Sequence, residues 1–358
     1  MEDWVFVKID VGDGLYGWGE AFTEPGRETA IAAEVESFGA RLLGRDPLHI
    51  RRLTAELSVE AASRRRSLEF CSALSGIEIA LWDVAGKAAG LPVHAMLGGS
   101  HRDRVEIYAN CHDGRVSTPD EWAALCAGYV ERGFGGVKIY PVNGPFATRR
   151  EEDQAVAVVD AVRAAVGPDT KVMVDLYRRL TPAAAIRYAE RIAPFDPYWL
   201  EEPVPADNVA ALAEIRARSR VPILTGESLF GKTEFRDLFA TRAADYINPD
   251  VCNCGGILEL TEIAAWAEPH LVGVSPHNWN SLAIGLAATM QASACIRDLL
   301  VVEHISSFWE RSDELLREPL SVEGGSIAIP TGPGLGVDLD EKALARYPAR
   351  DYTAAWRG

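Results

Sequence analysis

The sequence predicts an α/β barrel carrying a smaller α+β capping domain. Three observations carry this prediction: a strand pair followed by helices in the first hundred residues, eight strand candidates alternating with helices after Gly98-Gly99, and acidic residues recurring at strand ends. At 358 residues the chain exceeds one ordinary domain and suits a barrel with a partner. Hydrophobic residues at 48% and charged residues at 25% support a large core that folds without staples.

The cap comes first in the chain. VFVKIDVGDGLYGWG, from Val5 to Gly19, holds two short strands around Gly12-Asp13-Gly14, whose Asp-Gly step signals a hairpin. Apolar residues recur at helical spacing from Thr29 to Leu57 and from Leu68 to Ala89, and Gly90-Leu91-Pro92 stops the second run. Barrel strands are expected at Arg104–Asn110, Gly136–Tyr140, Lys171–Asp175, Tyr198–Leu200, Val221–Thr225, Asp245–Asn248, Leu271–Ser275 and Leu299–Glu303. Helices fall between most of them, around Glu121–Arg132, Asp153–Val166, Pro182–Ile192 and Ala206–Ala217. A doubly wound sheet is the alternative arrangement of the same alternation. Gly324 to Leu339, rich in Gly and Pro, leaves the barrel pattern and is expected to return to the cap. The division read from this is a cap over residues 1–103, a barrel over 104–318 and a returning tail over 319–358.

A net charge of −16 opposes association with phosphate backbones or anionic lipid, so nucleic acid and membrane surfaces are excluded as partners. The opening MEDWVFVKID has no basic and apolar leader pattern, and no apolar run of about 18 residues occurs, so a soluble cytoplasmic protein is expected. Six scattered cysteines read as reduced thiols. Cys252-x-Cys254 lacks a nearby second Cys/His pair for a soft metal, and packing is the better reading.

The chemistry lies in the strand-end acids. Asp175 follows VMV, Glu201 follows YWL and Glu227 follows VPILTG, with successive members 26 residues apart. One βα unit per step places all three at the C-terminal rim, where barrel active sites lie. Three adjacent carboxylates repel and raise one another's pKa unless a cation neutralises them, and all-oxygen ligation favours magnesium or manganese over zinc. A lone acid of this kind more often caps a helix or pairs with Arg; the regular set is what points to a metal. Further round the rim, Asp250 follows YINP and His277 follows GVSP. A carboxylate one strand from a histidine orients the ring and holds its tautomer, giving a general base near neutral pH.

Taken together, these residues resemble the mandelate racemase branch of the enolase superfamily, over nearly the whole chain. The resemblance includes Gly17-Trp18-Gly19-Glu20, the stretch from Ala73 to Val93, Leu97-Gly98-Gly99, VKIY at 137–140, MVD at 173–175, LEEP at 200–203, TGES at 225–228, NPD at 248–250 and SPH at 275–277. It implies a modified TIM barrel of (β/α)7β type and one Mg2+ per subunit on Asp175, Glu201 and Glu227, with Glu202 the lesser member of its pair. It also implies that the Asp250–His277 dyad exchanges the α-proton of a sugar acid through an enediolate. Glu303 matches the acid that meets the substrate carboxylate on the side away from the cation. Assembly as a symmetric homo-oligomer, octamer or smaller, is a further implication, and relatives usually carry another strand before the one near Trp4.

One departure bears on the reaction. Racemases carry Lys-x-Lys where this chain has Lys138 and Tyr140. Lys138 is expected to help hold the substrate carboxylate, while Tyr140 removes the second base that racemisation needs. Dehydration of an aldonate, uronate or aldarate, as in the galactonate dehydratases it resembles, is therefore the leading reading. A cycloisomerase or epimerase is the alternative, and a sugar-acid-binding protein without turnover the third. Those dehydratases have a histidine two residues after the first ligand; here Tyr177 stands there, followed by Arg178 and Arg179. Tyr177, Tyr140 and His277 are thus candidates for the leaving-group acid, with neutral tyrosine walls as the competing reading. Arg178 is expected at the substrate, and Asn278 and Trp279 at the pocket floor. The loop from Ala21 to Arg27 and the segment near Glu60 to Arg66 are expected to set substrate choice. Arg64-Arg65-Arg66 could meet a second anionic group or form a solvated helix face.

Overall fold

The structure, a computed structural model, describes residues 3–60, 66–112, 114–146, 148–279 and 281–349. Gly12, Asp13 and Gly14 all take positive φ, the left-handed turn that joins antiparallel strands β1 (Val5–Gly12) and β2 (Leu15–Ala21). Strand β2 lies on the long helix α3, and this contact explains the Gly-x-Gly spacing of the strand. A Cβ on Gly19 would sit 1.9 Å from the Gly76 carbonyl oxygen. The helical run expected from Thr29 to Leu57 is two helices, α1 (Glu28–Leu42) and α2 (Ile50–Glu60). It breaks where Leu43 turns extended and Gly44 takes φ 75°. Helix α3 (Leu68–Ala89) starts on the Ser67 hydroxyl and ends at left-handed Gly90, and the short α4 (Val93–Met96) completes the cap.

The barrel runs β3 (Arg104–Asn110), α5 (Pro119–Glu131), β4 (Gly136–Ile139), α6 (Arg149–Val166), β5 (Lys171–Asp175), α7 (Pro182–Ile192), β6 (Trp199–Glu201), α8 (Val209–Arg218) and β7 (Ile223–Thr225). It continues through α9 (Lys232–Thr241), β8 (Tyr246–Ile247), α10 (Ile257–Ala267), β9 (Gly273–Val274), α11 (Ala283–Cys295) and β10 (Val302–His304). Each strand from β3 to β9 pairs in parallel with the next. Strand β10 pairs with β3, and a bridge between Val274 and Leu299 joins β9 to it, which closes the ring and excludes the doubly wound alternative. The interior is packed by Tyr108, Met173, Trp199, Leu224 and Val301. Trp199 donates its indole N–H to Glu201 Oε2 at 3.0 Å, so the packed interior also supports a rim carboxylate.

After α12 (Trp309–Asp313) the chain does not leave the barrel directly, contrary to the expectation for residues from Gly324. Strands β11 (Val322–Glu323) and β12 (Ser326–Ala328) form a hairpin that pairs antiparallel with Arg104–Glu106 of β3. Those three residues precede the β3 segment that pairs with β4 and β10, so the hairpin supplies backbone partners they would otherwise lack. The return to the cap comes later: Leu335 N–H donates to Asp83 Oδ1 at 2.8 Å and Tyr16 donates to Asp338 Oδ2 at 2.6 Å, before α13 (Glu341–Leu344).

Two fully buried cap glutamates join the domains. Glu78 accepts from Ile257 N–H (2.7 Å) and Leu258 N–H (3.0 Å) at the start of α10. Glu20 accepts from Leu282 N–H (2.6 Å) and Gly285 N–H (2.7 Å) at the start of α11. Helix N-termini favour negative charge and offer free N–H groups, so each acid satisfies donors the helix leaves open. Burial nevertheless raises Glu20 to about 8 and Glu78 to about 7. These contacts fix the two helices that follow the loops bearing Asp250 and His277.

Candidate active site

Parallel strands in register deliver their last residues to one rim. Asp175 and Glu201 end β5 and β6 and are register partners, and Glu227 lies two residues beyond β7. One oxygen from each of the three comes within 4.8 Å of the others, all three residues being buried. Among the described residues this is the one grouping of His, Cys, Asp and Glu able to hold a metal ion. Burial, with Glu227 and Glu303 charges nearby, raises Asp175 to about 6 and Glu201 well above the carboxylate range, although Lys138 opposes both shifts. A hard divalent cation would relieve that crowding, so the donor set fits the magnesium expected from sequence. Cys252 and Cys254 are buried, with burial driving both thiols far up, consistent with packing.

Glu202 points away from the triad. Its carboxylate accepts from the Thr225 hydroxyl, Gly226 N–H (3.0 Å) and Arg178 (3.3 Å). Lys138 on β4 is 1% exposed and places Nζ 2.7 Å from Glu303, 2.9 Å from Glu201 and 3.3 Å from Asp175. Burial would lower Lys138, yet the Glu201 and Glu303 charges hold it protonated well above its ordinary value. Asn248, after β8, donates to Glu201 Oε1 at 3.1 Å and accepts from Glu227 N–H at 3.1 Å, tying adjacent ligands together.

The dyad is formed. His277 Nδ1 lies 2.7 Å from Asp250 Oδ2, which leaves Nε2 facing Glu227 (3.3 Å) and Glu303 (3.6 Å). Burial would lower His277, but Glu227, Glu303 and Asp250 together draw it up to about 10. Glu227 is pushed up by burial and pulled below its ordinary value by His277, Arg178 and Lys138. Glu303 follows the same pattern, with Lys138 and His277 overcoming burial to reach about 2.

A cavity of about 550 Å³ opens over the rim. Phe22, Glu24 and Arg27 of the cap loop line it with His112, Tyr140, Asp175, Tyr177, Arg178, Glu227, His277 and Trp279. Arg178 lines the cavity and pairs with Glu227 (2.7 Å) and Glu202 (3.3 Å), its own φ being 61°. Asn278 is the expectation that needs correction. Asn278 is not at the cavity floor: its backbone N–H donates to Glu303 and its side chain meets Thr289 of α11, in a small space behind the rim. Tyr140 accepts from Asn110 Nδ2 at 2.8 Å, and Tyr177 is 40% exposed with Arg178 and Arg179 stacked on its ring. Arg66 donates to the Phe230 carbonyl at 3.2 Å, while Arg64 and Arg65 lie outside the described residues.

Comparison with known proteins decides the family. Residues 1–98 match the mandelate racemase / muconate lactonizing enzyme, N-terminal domain, and residues 121–343 match the enolase C-terminal domain-like family. The chain belongs to the mandelate racemase/muconate lactonizing enzyme family of the enolase superfamily. It is 34% identical to a D-galactarolactone cycloisomerase from Agrobacterium fabrum, over 97% of this chain and 92% of that protein. It is 32% identical to a D-gluconate dehydratase from Thermoproteus tenax (96% and 70% covered) and 32% identical to a D-galactonate dehydratase from Ralstonia pickettii (94% and 89% covered). Among solved structures, the mandelate racemase/muconate lactonizing enzyme-like protein from Rubrobacter xylanophilus aligns with a TM-score of 0.91 at 34% identity, over 98% of this chain and 94% of that one.

Within this family member, sequence reasoning did not single out Asn110, Asn248 or His112. Asn110 is fully buried at the end of β3 and donates to both Glu303 (2.7 Å) and Tyr140 (2.8 Å). A signal was available for the two asparagines, since each sits at or just after a barrel strand, the position already used to find the acids.

Proposed function

We propose that this protein is a magnesium-dependent sugar-acid dehydratase, removing the proton α to the carboxylate and expelling the β-hydroxyl as water. The observation that carries the reading is the pairing of one histidine–aspartate dyad with a carboxylate triad, while a tyrosine, Tyr140, takes the place of a second amine base. The names of relatives at 32% identity support the substrate class. In this reading Asp175, Glu201 and Glu227 hold the cation, which when bound supplies the positive charge that binds the substrate carboxylate and acidifies its α-carbon. Asp250 keeps the proton on Nδ1 of His277, so that Nε2 is the nitrogen that accepts the α-proton. Lys138 and Glu303, paired at 2.7 Å, stand beside the triad to orient the carboxylate. Phe22 and Trp279 wall the cavity and keep water from the reacting face.

The test uses magnesium-loaded protein and a library of aldonic, uronic and aldaric acids, with His277→Asn in parallel. One acid should yield a 2-keto-3-deoxy product 18 mass units lighter, a change that follows from loss of one water, and the variant should lose it by about 100-fold or more while still binding metal. A second reading is a lactone cycloisomerase, favoured by the 34% identity to the D-galactarolactone cycloisomerase. Unchanged product mass with deuterium entering the α-carbon would select it.

A further inference from the structure

We propose that His112 is the acid that protonates the departing hydroxyl, an inference that rests on the dehydratase reading above. Strand order places it. The triad spans β5 to β7, centred on β6. His277 follows β9, three strands from β6 in one direction round the ring, and His112 follows β3, three strands away in the other. In a ring of eight this leaves only β10 between the two histidine-bearing strands, so both imidazoles face the triad from across the rim, and both line the same cavity.

The position of His112 is built. Its backbone N–H donates to Asn110 Oδ1 at 2.9 Å, and the same Asn110 holds Glu303 and Tyr140 through Nδ2. Its ring meets the Trp279 ring at 4.8 Å and 73° and the Tyr140 ring at 5.4 Å and 89°, two edge contacts that set the plane of the imidazole over the cavity. Trp279 is two residues beyond His277, so one aromatic side chain links the two histidine loops.

Imidazole as a class exchanges protons near neutral pH, which suits delivery to a leaving hydroxyl. Tyr140 accepts from Asn110 Nδ2 at 2.8 Å and Tyr177 has Arg178 and Arg179 against its ring, whereas His112 brings a second imidazole to the cavity. Division of labour also follows: the nitrogen that takes the α-proton is not the one asked to give a proton to the leaving oxygen. The step balances as follows. His277 takes the proton from C2 and the C–H pair moves onto the carboxylate as an enediolate; that pair then returns to form the C2=C3 bond as the C3–O bond breaks and His112 passes its proton to the oxygen. Water leaves; the enol then gains a proton at C3 and loses one from its 2-hydroxyl to give the 2-keto-3-deoxy acid.

The experiment compares the acid that the wild-type protein dehydrates with its 3-deoxy-3-fluoro analogue, because fluoride departs without needing a proton. In His112→Gln, loss of water should slow by about 100-fold or more, while fluoride release stays within about threefold of wild type and α-deuterium exchange persists. Retained fluoride release also shows that the variant is folded and loaded. Dehydration of the natural acid at near wild-type rate, or parallel loss of water and fluoride elimination, overturns the assignment of His112 and leaves the dehydratase reading standing. Absence of dehydration by the wild-type protein with every acid overturns both.

Discussion

Lys138 and His277 share one electrostatic problem, which is that five buried carboxylates stand around them. His277 meets Glu227, Glu303 and Asp250, and Lys138 meets Asp175, Glu201 and Glu303. The imidazole is drawn up to about 10 because those negative charges favour its protonated form more than burial disfavours it. A divalent cation on the triad withdraws part of that attraction, so Mg2+ should lower the His277 titration toward neutrality, making it a base at working pH. NMR titration of the imidazole nitrogens with and without Mg2+ measures this directly, and an unshifted midpoint would contradict the arrangement. At this scale the sequence was informative where side chains leave regular strand ends, as for Asp175, Glu201, Asp250 and His277. Spacing alone did not give direction where the backbone decides it: Arg178, Tyr177 and Glu202 all take positive φ, and the expectations for them came from the resemblance. His112 was hidden for a related reason, because it owes its place to a loop anchored by Asn110 and not to a repeat.

Helices and strands show which local signals translate into architecture. Strand β2 approaches α3 so closely that Gly19 admits no side chain, since its Cβ would meet backbone at Gly76. Gly19→Ala should cost on the order of 1–3 kcal/mol or more in a denaturant titration, since backbone on both sides cannot give way. A loss below about half a kcal/mol would show that the strand can shift. The eight barrel strands were legible because their apolar runs are short, bounded by Gly or Pro, and separated by helix-length segments. The hairpin of β11 and β12 was not, because strands of two and three residues leave almost no periodicity, and their pairing answers a need of β3 that is written two hundred residues earlier. The break between α1 and α2 was overrun for the opposite reason: apolar spacing continued across Gly44 although the backbone did not.

For the whole molecule, the joint between cap and barrel depends on acids that are neutral over part of the working pH range. Glu20 reaches about 8 in the folded state against an ordinary 4.5, so the folded protein holds that proton more tightly than the unfolded chain. Its contribution is complete below about pH 4.5 and is lost as pH rises toward 8. Stability of the metal-free protein should therefore decline across that window, with Glu78, at about 7, adding to the slope. Glu20→Gln should be less stable overall but flatter with pH, which urea titrations from pH 5 to 9 would register; an unchanged slope would assign the effect elsewhere. The layout of the cavity has a consequence for how such a protein can diversify. The charged groups of the rim stand at or just after strand ends inside a closed ring, whereas Phe22, Glu24 and Arg27 reach the cavity from the cap loop. Inheritance can thus rewrite the cap loop while leaving the rim untouched, and a laboratory library confined to those three positions would search new substrates without disturbing the rim groups.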